Sequence, residues 1–191
     1  MRHSLDQLVR GTGHLTAPVP PDELCAALCT AMSARRGRDI EFRTSSFPPG
    51  TASGLALDLG NRDLVVVEKN TAPDHRVIIT GHELRHLELG HCHTELAGTP
   101  TAARLLRHDA DLEHVVESVL AVAGRHSPLL TRGSESEAAR LSQQEQEVER
   151  YGLALAHAVR HLLPGAQTRT PDLRTAAGRI EASLGHRGTR G

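Results

Sequence analysis

The segment Gly81-His82-Glu83-Leu84-Arg85-His86 places two histidines four residues apart, with a glutamate directly after the first. On a helix, residues i and i+4 stand one turn apart with Cβ atoms about 6 Å from each other, so both imidazoles converge on one ion. His82 and His86 are therefore candidate zinc ligands. Glu83 stands beside the first ligand, near enough to take a proton from a water that the metal has activated, which is the part of a general base. The chemistry this trio implies is hydrolysis.

A hydrolytic zinc keeps three protein ligands and one open position, so a third ligand is required. A histidine six residues after the second, with a glycine three after it, is excluded because Cys92 and Leu89 stand at those positions. His91 is turned off the ligand face of a continuing helix, where it lines the site or caps the helix end, and His93 is on the right face but about 10 Å further along. A glutamate from a later helix is the better fit. Glu145-Gln146-Glu147-Val148-Glu149-Arg150-Tyr151-Gly152 is the strongly acidic helical stretch downstream. Such a run also reads as a solvated helix face, and residue type alone leaves Glu147, Glu149 and Glu145 all open.

These two stretches together resemble the ImmA/IrrE-like metallopeptidase family, also called the IrrE N-terminal-like domain, which includes toxin components in actinobacteria. That family shows H-E-x-x-H followed by a small residue and His, then a helix bearing E-x-E-A-x-x-F-A. Here the first motif stands as His82 to His91, and in the second Glu145 and Glu147 hold the acidic positions. Val148, Tyr151 and Gly152 depart from it, in place of Ala, Phe and Ala. The resemblance covers residues 20–165 and implies a small zincin-like domain, a bound Zn2+ and Glu147 as its third ligand. It also implies an endopeptidase acting on a protein substrate, a helix-turn-helix transcriptional repressor cleaved in trans within a stress, mobile-element or toxin–antitoxin-like switch. The alternative, motivated by the weakened second motif and the basic end, is a regulatory or toxin-like protein-binding module with an inert site on the same fold.

The elements that must position these residues are of the α+β class. Pro21, Asp22 and Glu23 open a helix that runs to Arg36 on Leu24, Ala27, Leu28 and Met32. Strand character follows at Asp39 to Arg43, Gly54 to Leu59 and Leu64 to Glu68, with Gly60, Asn61 and Arg62 as a hairpin turn, giving a three-stranded antiparallel sheet. Thr71 and Asp74, with Pro73 in the first turn, predict a side-chain-capped helix through Val77, Ile78 and Ile79 to Gly90. C-terminal helices are expected over Ala102 to Val122 and Ser142 to Leu163, with Ser127 to Glu137 as a loop between them.

Three units follow: a flexible start at residues 1–19, the zincin-like metallopeptidase domain at 20–165, and a basic helix and tail at 166–191. Lys plus Arg number 22 against 23 Asp plus Glu, a balance that supplies no field for direct nucleic-acid binding or for an anionic membrane. With no Trp and one Tyr, stacking platforms for single strands are also lacking. Three cysteines, Cys25, Cys29 and Cys92, in no framework spacing suit a reducing compartment. No apolar run reaches the roughly 20 residues that span a bilayer, and a cytoplasmic protein is expected.

Overall fold

The computed structural model of the chain describes residues 2–90, 94–95, 114, 116–120 and 135–165. Its class is α+β. The order is α1 (Arg2–Gly11), α2 (Pro21–Arg36), β1 (Ile40–Ser45), β2 (Gly54–Asp58), β3 (Asp63–Glu68), α3 (Pro73–Leu89), β4 (Thr94–Glu95) and α4 (Glu135–Val159), closed by a 3-10 turn at Arg160–Leu162. Among the described residues, no helix is long and apolar enough to cross a membrane.

The sheet departs from the antiparallel expectation. It is four-stranded and mixed, in the order β1-β3-β2-β4. The hairpin is present: β2 and β3 pair antiparallel, and the Leu59 N–H donates to the Arg62 carbonyl at 3.0 Å to close the turn. But β1 pairs with β3 in parallel, from Ile40 beside Asp63 to Ser45 beside Glu68. Burial explains the arrangement. Leu64, Val65, Val66 and Val67 of β3 are all buried, as suits a central strand covered on both faces, whereas β1 is buried only at its two ends and takes an edge.

One face of the sheet, with Ala56, Val65 and Val67, packs into a core shared with α1, α2, α3 and α4. The other face, with Leu55, Leu57, Leu64 and Val66, meets Val116 and Val119 of the helical residues 116–120. Burying the aliphatic side chains of both faces stabilises the sheet by about 1.5–3 kcal/mol for each large residue. The remainder of the helix expected over Ala102 to Val122 lies outside the described residues, as does the basic segment 166–191. The loop expected to reach Glu137 ends sooner, because α4 is already helical from Glu135.

The start of the chain is not a loose arm. Residues Arg2–Gly11 are helical, Leu8 is fully buried, and the Val19 N–H donates to the Leu162 carbonyl at 2.7 Å, tying the segment after α1 to the 3-10 turn that follows α4. Leu5, Leu8 and Val9 carry the i, i+3, i+4 spacing that buries one side of such a helix. Helix α2 ends on Gly37, whose φ of 67° is left-handed and returns its N–H to the Ser33 carbonyl. Cys25 and Cys29 face the core from α2; burial pushes the Cys25 thiol up to about 12 and raises Cys29 well above its ordinary value, so both are structural thiols.

Candidate metal centre

Helix α3 starts differently from the expected cap. Its N-cap is Ala72, which has no side chain to offer, and Pro73 takes the first helical position, where a missing N–H costs nothing. The Thr71 carbonyl instead accepts from the Arg76 guanidinium at 3.2 Å. From Pro73 the helix runs unbroken to Leu89, so His82, Glu83 and His86 occupy consecutive turns in its buried half.

The position of those side chains is set by a close helix crossing. A Cβ at Gly152 of α4 would lie 2.6 Å from the Ile78 carbonyl oxygen and 3.2 Å from the His82 nitrogen, while a Cβ at Gly81 would lie 3.0 Å from the Gly152 Cα. Glycine is therefore required at this crossing for the backbones to come so near. Val148, Leu155 and Val159 extend the same buried stripe along α4. Seven residues before Gly152, or about 10 Å along the axis, the stripe reaches Glu145.

Three potential ligand atoms meet there. His82 Nε2 and His86 Nε2 stand 3.0 Å apart, and the Glu145 carboxylate places Oε1 at 3.5 Å from His86 and Oε2 at 3.7 Å from His82. The fit to a metal can be tested by geometry. Ligands about 2.0–2.1 Å from one tetrahedral zinc lie about 3.3 Å from each other. The contacts of 3.0, 3.5 and 3.7 Å, the last two to different oxygens of one carboxylate, lie near that edge length, and one ligand atom from each residue can be chosen with all three within 4.8 Å. Two ring nitrogens this close with lone pairs facing would repel, so a shared proton or a cation must stand between them. His82, His86 and Glu145 form the His-His-Glu group among the described residues that can hold a metal ion.

Glu147, the ligand implied by the resemblance, is placed elsewhere. Two residues on from Glu145, it is turned about 200° around the helix and binds the Arg85 guanidinium. That bond holds its carboxyl below the usual carboxylate range. Glu149 is exposed. The carboxylate that the structure brings to the imidazoles is thus Glu145, which its sequence position on the Val148-Gly152-Leu155-Val159 stripe could have signalled. His91, Cys92 and His93 lie outside the described residues.

Glu83 is nearly fully buried under the first residue of β2. A Cβ at Gly54 would lie 2.6 Å from Glu83 Oε1 and 2.5 Å from Ile79 Cγ2, so a side chain there would displace the carboxylate. Gly54 thus leaves room for the Glu83 carboxylate, a relation that the motif does not reveal.

Arg85 is also buried, and Glu88 partly so. Arg85 donates to Glu88 at 2.7 Å and to Glu147, and its guanidinium lies 5.3 Å from the centroid of the Tyr151 ring. Burial disfavours the charge, but the bonds from Glu147 and Glu88 outweigh it and raise the Arg85 pKa. Ser4 of α1 donates to Glu88 at 2.8 Å and shares a hydrogen bond with the Tyr151 hydroxyl at 3.0 Å; Arg35 of α2 pairs with Glu88 as well. Helices α1, α2, α3 and α4 each contribute to this cluster.

No protein-family model, curated protein or solved structure matches the chain.

Proposed function

We propose that the chain is a zinc-dependent endopeptidase of zincin-like fold, in keeping with the likeness of its motifs to ImmA/IrrE-like metallopeptidases, with His82, His86 and Glu145 holding the metal. The observation that carries the reading is the convergence of one carboxylate from α4 with two imidazoles, their ligand atoms within 4.8 Å of one another, on the helix that also bears Glu83. Zinc, when bound, supplies Lewis acidity, making water nucleophilic near neutral pH and polarising a carbonyl. Glu83 takes the proton from the attacking water and returns it to the departing amine, so that the peptide C–N bond breaks as the new C–O bond forms. Its burial against Gly54 keeps the carboxylate out of bulk water and fixed in direction. A helix-turn-helix repressor is the substrate class the resemblance supplies.

The test is cleavage of a proteome-derived peptide library by zinc-reconstituted protein, read by mass spectrometry. Glu83→Gln is expected to keep the metal and lose about 10²–10⁴-fold in rate. Failure of the purified chain to take up stoichiometric zinc would overturn the reading. The near-complete burial of Glu83 favours one second reading, a regulatory protein-binding module whose metal is structural. A biological effect that survives Glu83→Gln would support that module over proteolysis.

A further inference from the structure

We propose that Glu147, gripped by Arg85, is a positioning residue that fixes Glu145 over the two imidazoles; this rests on the metal-centre reading above. The two glutamates have separate tasks: one to ligate, the other to hold the ligating helix in register. Among the described side chains, helix α4 is firmly seated in its C-terminal half. There Tyr151, Gly152, Leu155 and Val159 are buried, and Gly152 sits against the α3 backbone. Toward the N-terminus Val148 is buried, and from Arg140 to Glu147 each side chain is exposed or partly so.

Glu145 itself is 57 % exposed, so packing does not hold its carboxylate in place. Two residues further along the helix, Glu147 is ion-paired to Arg85 of α3. Arg85 can serve as the fixed end because its guanidinium is buried and bonded to Glu88, which Ser4 of α1 and Arg35 of α2 also grip. A slip of α4 by one residue would carry Glu145 about 1.5 Å along the axis and about 100° around it, away from both Nε2 atoms. The chain of contacts thus runs from α1 and α2 through Glu88, Arg85 and Glu147 to the ligand. Glu147 bonded in this way is also kept from competing for the metal.

The experiment is a zinc-affinity titration against a chromophoric chelator, on the full chain, with wild type, Glu147→Gln, Glu145→Gln and the double variant, each checked for folding by circular dichroism. Glu147 is 44 % exposed, so its replacement leaves the core intact. A partner that orients a ligand is expected to contribute about 10–100-fold in affinity. Glu147→Gln should therefore weaken zinc by that factor, Glu145→Gln should weaken it more, and the double variant should bind no more weakly than Glu145→Gln alone. That non-additivity is the signature of action through Glu145, which a general loss of stability would not produce. Wild-type affinity in Glu147→Gln overturns the inference and leaves the metal centre standing. Additive losses, or a greater loss at Glu147 than at Glu145, overturn it too. Wild type that binds no zinc removes the metal centre and this inference together.

Discussion

Helices α3 and α4 cross at Gly81 and Gly152, and the two sides of that crossing are both polar yet chemically opposite. On one side stand His82, His86 and Glu145, with ring nitrogens and carboxylate oxygens all directed at one another. On the other stand Arg85, Glu88, Glu147, Tyr151 and Ser4, where each cationic or hydroxyl donor meets an acceptor. The second set pairs its charges within the protein, with the buried Arg85 Nε left without a hydrogen bond. The first joins two imidazoles by a hydrogen bond between their Nε2 atoms beside an acidic side chain, a set of nitrogen and oxygen atoms that could hold a metal ion.

Adjacent residues provide the sharpest way to break the comparison. Arg85→Ala leaves the partly buried Glu88 with one fewer cation and should cost about 3 kcal/mol of stability in metal-free protein, measured by urea unfolding. His86→Ala should lower zinc affinity by at least about a hundredfold, beyond what outer-shell partners contribute, while the metal-free unfolding midpoint changes far less. Equal profiles for the two variants would show that the sides of the crossing are not distinct.

The crossing itself comes next. Gly152→Ala puts a methyl group into the Ile78 carbonyl, and overpacking of this kind is expected to cost about 1–3 kcal/mol. Because it separates the helices on both sides, it should lower stability and zinc affinity together. A neutral outcome in thermal unfolding would mean that the close approach of the backbones is not required. Least affected is Glu149, exposed and outside both clusters. Glu149→Gln should stay within about 0.5 kcal/mol in stability and leave zinc affinity unchanged, whereas a large loss of affinity would reopen the choice of ligand.

How far the molecule is legible from residues alone differs between its parts. The helix bearing His82, Glu83 and His86 and the hairpin around Gly60 follow from local pattern, because turn residues and apolar spacing act over a few neighbours. Strand partners do not. Nothing in Ile40–Ser45 states that it will lie parallel to β3; that outcome depends on the four buried apolar residues of β3 claiming the centre of the sheet. The helix at Arg2–Gly11 carries a readable Leu5-Leu8-Val9 spacing, but the Pro18, Pro20 and Pro21 that follow suggest a loose start until the core it joins is known.

The third ligand shows the same division. By motif likeness Glu147 is preferred, and Gly152 reads as a degraded position. In the folded chain Gly152 is where the helices touch, and counting back along that buried stripe arrives at Glu145. The burial of Arg85 could not be foreseen, since its acidic partners come from two helices and its hydroxyl-bearing neighbours from α1 and α4.

Zinc-edge X-ray absorption on the reconstituted chain measures the central claim directly. A single shell of nitrogen and oxygen atoms at about 2.0–2.1 Å, with the multiple scattering of two imidazoles and a loss of one oxygen in Glu145→Gln, is the predicted result. A sulfur scatterer at about 2.3 Å, or a spectrum unchanged by Glu145→Gln, would contradict it.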